Sequence, residues 1–133
     1  QGLTIWFFKN EQIKDEELQA VLNVGIYAPS PNDQAWHFKV IQNRELLAWL
    51  NCEAKEIVKQ YKPLKELANN EGFNIFYEVP TVILVSGEEA IAIESDCAAA
   101  TQNMLLAAEP IGLGYAGLVL CWWLLVARGL KNI

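Results

Sequence analysis

Apolar residues recur every three or four positions in the segment KDEELQAVLNVGIYAP, which is the spacing typical of a helix with one buried face. Asp15 belongs to a residue type that favours helix N-caps, and Pro29 is expected to end the helix. The apolar positions predict a single buried face, made of Leu18, Val21, Leu22, Gly25 and Ile26.

Two further segments predict helices. RELLAWLNCEAKEIVKQYK repeats apolar residues at spacings of 3, 4, 3 and 4, namely Leu47, Leu50, Ala54, Ile57 and Tyr61, and Pro63 is expected to end it. A third helix, over about 90–109, is apolar on nearly every side. Because such a helix must be buried all round, we expect part of it to pack against a second copy of the chain. We expect Asp96, within this helix, to be solvated or hydrogen-bonded.

Two shorter segments have the composition of strands. HFKVIQN precedes the second helix, and VPTVILVSG, rich in β-branched residues, precedes the third. The first strand directly follows the loop APSPNDQAW, which is rich in turn-forming residues and side-chain amides. This loop is either a plain connector or a cradle for a polar ligand.

Composition limits the kind of partner. The 133 residues suit one domain, and a net charge of −6 without a basic stripe argues against nucleic acid. The scattered cysteines Cys52, Cys97 and Cys121 form no CxxC pair, and with the single His37 they favour a reduced compartment without structural zinc. No segment resembles a signal peptide, so a cytoplasmic protein is expected.

Residues 111–127, IGLGYAGLVLCWWLLVA, carry no charge. Their length is at the lower limit for a membrane span, but no basic cluster flanks them. A turn followed by a buried strand or interface helix is the favoured interpretation, and a membrane-associated protein is the alternative.

Several motifs, in order along residues 2–120, resemble the nitroreductase family of FMN-dependent oxidoreductases. ESDCAAATQNMLLAAEPIGLG is similar to the central helix and following turn of the family. IYAPSPNDQAWHFKVI resembles its Pro-Ser…Asn-x-Gln-x-Trp loop, FYEVPTVILVSG its Phe-Tyr-Gly-Ala-Pro segment and FKNEQIKDEELQAVL its opening helix.

The resemblance implies an α+β fold with a mostly antiparallel sheet flanked by helices, formed as a single domain over 1–133. It also implies an intertwined homodimer with FMN at two interface sites, using NAD(P)H to reduce nitroaromatics, quinones or related small acceptors. The flavin performs such chemistry and the protein binds and orients it. No side chain is therefore predicted to be catalytic, no metal site is predicted, and His37 is interpreted as a half-exposed strand residue.

The cofactor-binding residues implied by the resemblance lie in three motifs. They are Thr4 in the opening motif, Pro29, Ser30, Asn32 and Gln34 in the loop, and Gly112 and Gly114 in the turn after the central helix. Side-chain amides both donate and accept hydrogen bonds, which suits the polar rim of a flavin ring. The glycines have an equally good interpretation as a helix stop.

The chain departs from the family pattern at several positions. The family opens with Arg-Arg-Ser/Thr-Ile-Arg-x-Phe, whereas this chain has Gly2-Leu3-Thr4-Ile5-Trp6-Phe7-Phe8 and so lacks three arginines that grip the FMN phosphate. The loop is one residue shorter, Glu78-Val79 replace Gly-Ala, and the last strand and C-terminal arm have no counterpart. A diverged relative, a shortened chain and imperfectly determined residues would each explain this. A flavin-free dimeric ligand-binding or scaffold protein on the same fold is the alternative function.

Overall fold

The structure is a computed structural model, and it describes residues 9–30, 36–87 and 93–114. Within these ranges the helices are α1 (Asp15–Ile26), α2 (Arg44–Val58), α3 (Lys65–Asn69) and α4 (Ile93–Ala108), and the strands are β1 (Trp36–Ile41) and β2 (Val82–Gly87). Single turns of 3₁₀ helix occupy Lys62–Leu64 and Glu109–Ile111.

The two described strands pair antiparallel, with Trp36 opposite Gly87 and Ile41 opposite Val82. Successive side chains of a strand point to opposite faces of the sheet. On one face, Ile83 and Val85 pack against a cluster from α1 and α4. On the other, Val82 and Leu84 pack against a cluster that includes Leu47 and Leu50 of α2. The four consecutive apolar residues of β2 are explained by helices on both faces, and the predicted α+β class is confirmed.

The helix boundaries differ from the predicted ones. Lys14 is the N-cap of α1, so the prediction of Asp15 was wrong by one residue. The cap is completed by Glu17, whose carboxylate accepts a hydrogen bond from the Lys14 backbone N–H at 3.2 Å. Asn43 caps α2 by accepting from the Leu46 N–H at 3.0 Å. That helix ends at Val58, well before Pro63, and the predicted apolar position Tyr61 lies beyond it with 43% of its surface exposed.

Helices α1 and α4 pack closely at Gly25. A Cβ atom at this position would lie 2.8 Å from the Met104 Cγ and 3.1 Å from the Phe38 Cζ. Contacts under 3.0 Å require displacement of a neighbour, so glycine permits this approach of helix to helix. In the same pair, Asn103 Nδ2 donates to the Val24 carbonyl oxygen at 3.5 Å.

Burial of α4 is uneven within one chain. Ala100 is fully buried and Met104 is 5% exposed, as expected for the face towards α1 and the sheet. Ala98 is exposed and Leu106 is 56% exposed. The prediction of a helix buried on all sides is therefore not met by the described part of a single chain.

The turn before β2 contains two consecutive non-glycine residues in the left-handed region. Tyr77 has φ of 53° and Glu78 has φ of 56°. Asn74 supports the turn, since its side chain accepts from the Phe76 N–H at 2.8 Å and its carbonyl from the Tyr77 N–H at 3.0 Å. Glu78 stands where the family motif has glycine. The left-handed conformation explains that preference, because it costs residues with a Cβ about 1–2 kcal/mol.

We expect Glu78→Gly to raise the free energy of unfolding by about 0.5–1 kcal/mol, because it removes the left-handed penalty at the cost of some chain entropy. Urea denaturation would measure the change. Glu71→Gly is the matched control, since Glu71 is exposed and is not among the described residues with positive φ. A Glu78→Gly variant less stable than the wild type would contradict the assignment of strain to this turn.

Candidate functional site

The loop after α1 is joined to α4 by a hydrogen bond across 66 residues of sequence. Ser30 Oγ donates to Asp96 Oδ2 at 2.7 Å. Asp96 is 3% exposed and is the buried charged residue of the described core. Its position in the first turn of α4 places the carboxylate near the positive end of the helix dipole, which offsets part of the cost of burial. The expectation that Asp96 is hydrogen-bonded is confirmed.

Apolar contacts fix both ends of the same loop. Ala28 and Trp36, the first and last residues of the loop, form one cluster with Ala100 of α4. Trp36 is 7% exposed, so its ring is buried in this cluster. The chain therefore leaves α1 and enters β1 against one region of α4.

The structure describes four of the seven predicted cofactor residues. Pro29 is exposed and Ser30 is partly buried next to Asp96. Gly112 and Gly114 are both exposed and follow the other end of α4. The remaining three, Thr4, Asn32 and Gln34, lie outside the described residues.

The loop and the glycine turn are far apart within one chain. Ser30 contacts Asp96 at the start of α4, whereas Gly112 follows Ala108 at its end. At about 1.5 Å per residue, the helix rises about 18 Å between Asp96 and Ala108. One chain therefore does not bring the described loop residues and Gly112 together around a small group.

Gly112 has a conformational explanation of its own. Its φ of 77° is left-handed, and it follows the last turn of helix. The Gly112 N–H donates to the Glu109 carbonyl and the Leu113 N–H to the Ala108 carbonyl, each at 3.0 Å. This pattern is a helix C-terminal stop that uses glycine for its backbone freedom. A role for Gly112 and Gly114 at a cofactor stays a prediction.

Two other candidate reactive groups lie nearby. Burial raises the pKa of the Cys97 thiol above its usual value of 9.0, and the neighbouring Asp96 carboxylate raises it further. A thiol of this kind is poorly nucleophilic at neutral pH. His37 on β1 is exposed. Among residues 9–30, 36–87 and 93–114, no group of His, Cys, Asp and Glu is arranged to hold a metal ion.

A separate cleft of about 350 Å³ lies on the α2 side of the sheet. Polar side chains line it, including Asn10, Arg44, Asn74 and Glu78, and Arg44 Nη2 donates to Asn10 Oδ1 at 3.1 Å. Its apolar wall includes Leu47, which belongs to the α2 cluster. Of the predicted cofactor residues that the structure describes, Pro29, Ser30, Gly112 and Gly114, none lines this cleft.

No helix in the described part of the chain combines the length and apolar character needed to cross a membrane. The segment that suggested a span, residues 111–127, lies mostly outside the described residues.

Comparison with known proteins identifies the class. The profile of the Nitroreductase family matches residues 4–118. A protein of Archaeoglobus fulgidus with the provisional name NADH dehydrogenase/NAD(P)H nitroreductase is 30% identical over 112 residues, which cover 84% of this chain and 59% of that protein. The chain thus spans little more than half of this curated relative.

Solved structures give the same result. A nitroreductase with bound FMN from Bacteroides fragilis has a TM-score of 0.77 at 33% identity, covering 83% of this chain and 61% of that one. A nitroreductase with bound FMN from Desulfitobacterium hafniense has a TM-score of 0.79 at 28% identity, covering 93% and 69%. The chain belongs to the nitroreductase family, and the predicted family is confirmed.

Sequence reasoning did not include Asp96 among the site residues. A carboxylate within an otherwise apolar helix segment was the available signal, because a buried charge requires a partner. The sequence could not identify that partner, since Ser30 lies 66 positions away.

We expect iodoacetamide to alkylate Cys52 faster than Cys97 in the folded protein, because Cys52 is exposed and the pKa of Cys97 is raised. Replacing Asp96 by Asn should speed alkylation of Cys97 by about threefold or more, since the carboxylate no longer disfavours the thiolate. Peptide mass spectrometry would follow each cysteine separately.

Glu94→Gln is the control for that experiment, because Glu94 is exposed on the same helix. An equal effect of Glu94→Gln and Asp96→Asn on Cys97 would show that general charge, and not contact with Asp96, controls the thiol.

Proposed function

We propose that the protein is an FMN-dependent oxidoreductase that transfers reducing equivalents from NAD(P)H to nitroaromatic, quinone or similar small acceptors. The family match over residues 4–118 is the observation that carries this proposal. Two similar structures with bound FMN support it. We further propose that the protein acts in the cytoplasm.

The flavin ring would lie against the loop after α1, with Pro29, Ser30, Asn32 and Gln34 as its contacts. Bound flavin accepts and passes on reducing equivalents, and the chain supplies its position and polar surroundings. The donor set suits the ring, because two amides and a hydroxyl can satisfy its rim. Gly112 and Gly114 would contribute from a second chain at an interface site, which accounts for their distance from Ser30.

The phosphate of FMN fits this chain less well. It carries about two negative charges at neutral pH, and the chain has a net charge of −6. The predicted cofactor residues include no cation, and Thr4 is the predicted phosphate contact. Lys9 and Lys14 are exposed, and a lysine is a flexible point charge that lacks the bidentate geometry of arginine.

The missing cations also favour the second candidate, a flavin-free dimeric protein that binds a ligand or acts as a scaffold. The two candidates differ in one measurable property, the affinity for flavin.

We expect FMN to bind about 10²–10⁴-fold more weakly than it would to a site with two additional charge-assisted contacts, each worth about 1.5–3 kcal/mol. FMN and riboflavin should then differ in dissociation constant by no more than about tenfold, because the phosphate gains little. Quenching of flavin fluorescence would measure both constants. FMN-saturated protein should oxidise NADH or NADPH when a quinone or nitroaromatic acceptor is present.

Thr4→Ala is the internal control, since it should weaken FMN binding and leave riboflavin binding unchanged. A preference for FMN of a thousandfold or more would show that another basic group holds the phosphate. Failure of both flavins to bind would refute the oxidoreductase proposal and support the flavin-free candidate.

We also propose that the protein is a homodimer, formed through an apolar surface on α1 and α4. Val24 is 39% and Leu106 is 56% exposed, and the two are linked by Asn103, which contacts the Val24 carbonyl and shares a helix face with Leu106. Tyr27, one turn beyond Val24, is 82% exposed. Stable dimers often bury about 2,000 Å² or more, and this surface supplies a natural centre for such an interface.

We expect Leu106→Glu to shift the sedimentation coefficient from dimer to monomer at low micromolar concentration, because it places a charge in the apolar contact. Leu67→Glu is the matched control, since Leu67 is 44% exposed but lies on α3. A wild-type protein that sediments as a stable monomer would contradict the dimer proposal.

A further inference from the structure

We propose that Asp96 is a positioning residue, which holds the loop after α1 against α4 through Ser30 and so presents that loop to the flavin. This inference rests on the proposed function for the identity of the ligand. The contact of Ser30 with Asp96, together with the packing of Ala28 and Trp36 around Ala100, is called the clamp below. It is a property of the chain without ligand.

The clamp has two components on one face of α4. Asp96 and Ala100 are four residues apart and therefore share a face of the helix. Ser30 is bonded to Asp96 at 2.7 Å, and Ala28 and Trp36 pack in the cluster around Ala100. The loop therefore contacts α4 at Ala28 and Trp36, its two ends, and at Ser30.

Aspartate at position 96 is better explained by a directional hydrogen bond to the loop than by packing alone. Burying a carboxylate costs more than burying an apolar side chain of similar size, and the cost is offset only by hydrogen bonds and favourable dipoles. An apolar residue at position 96 would pack beside Ala100 but would leave the Ser30 hydroxyl without its acceptor. Asp96 fixes the orientation of that hydroxyl, because the donated bond is directional.

The test compares Ser30→Ala, Asp96→Ala, the double variant and Ser30→Thr in the full chain. Ser95→Ala is the matched control, because Ser95 is exposed on α4 and the chemical change is the same. Hydrogen exchange of the peptide spanning 28–36 is measured without flavin. Dissociation constants for FMN and riboflavin are measured by fluorescence quenching.

We expect Ser30→Ala and Asp96→Ala each to speed exchange in this peptide by about tenfold or more, because each removes a hydrogen bond to a charged group. The double variant should exchange no faster than the faster single variant, since both lose the same bond. Ser30→Thr retains the hydroxyl and should stay within about twofold of the wild type, as should Ser95→Ala. Both flavins should bind about threefold to tenfold more weakly to Ser30→Ala, and by the same factor.

Unchanged exchange in Ser30→Ala, or additive effects in the double variant, would overturn the clamp. A loss confined to FMN, with riboflavin unaffected, would overturn the inference that the loop is presented to the part of the cofactor that both flavins share. If the wild type binds neither flavin, the proposed function and the presentation of the loop to flavin both fail, while exchange without ligand still decides whether Asp96 clamps the loop.

Discussion

Coverage of both faces of an apolar strand pair is the constraint on which the rest of the described structure depends. β2 places Ile83 and Val85 towards α1 and α4, and Val82 and Leu84 towards α2. Neither face can be left in water, because each carries two large aliphatic side chains of β2. Helices must therefore pack on both sides, and α4 must lie close enough to the sheet to contact α1 as well. The close approach at Gly25 and the burial of Ala100 follow from this arrangement.

The position of α4 also creates the candidate site. This helix packs against both α1 and the sheet, and its N-terminal half faces the chain that connects them. Ala28 and Trp36 pack around Ala100, one turn beyond Asp96, where α1 ends and β1 begins. Asp96 then adds a directional bond to what would otherwise be an apolar contact. The features that hold the fold together and those that shape the loop are thus adjacent on one helix.

Local patterns predicted most of the elements, and long-range contacts account for most of what they missed. The spacing of Leu47, Leu50, Ala54 and Ile57 identified the buried face of α2, and all four are buried. The same pattern overextended the helix to Tyr61, because spacing does not reveal where backbone hydrogen bonding stops. The N-cap of α1 was displaced because Glu17 stabilises a cap at Lys14, a contact that single-residue preference does not contain. The bond from Ser30 to Asp96 depends on how α4 packs, which no local window encodes.

Two departures from the family pattern have different physical consequences. Glu78 in place of glycine puts a residue with a Cβ atom in the left-handed region, so this departure affects stability. The absence of the opening arginines removes positive charge from the predicted phosphate contact, so this departure affects the affinity for the phosphate. The Ser30–Asp96 bond is independent of both, since it requires neither a glycine at position 78 nor a cation near position 4. Under the proposed function, recognition of the flavin ring and recognition of the phosphate would therefore be separable in this chain. A site can keep a well-positioned loop for the ring while its affinity for the charged end of the cofactor falls.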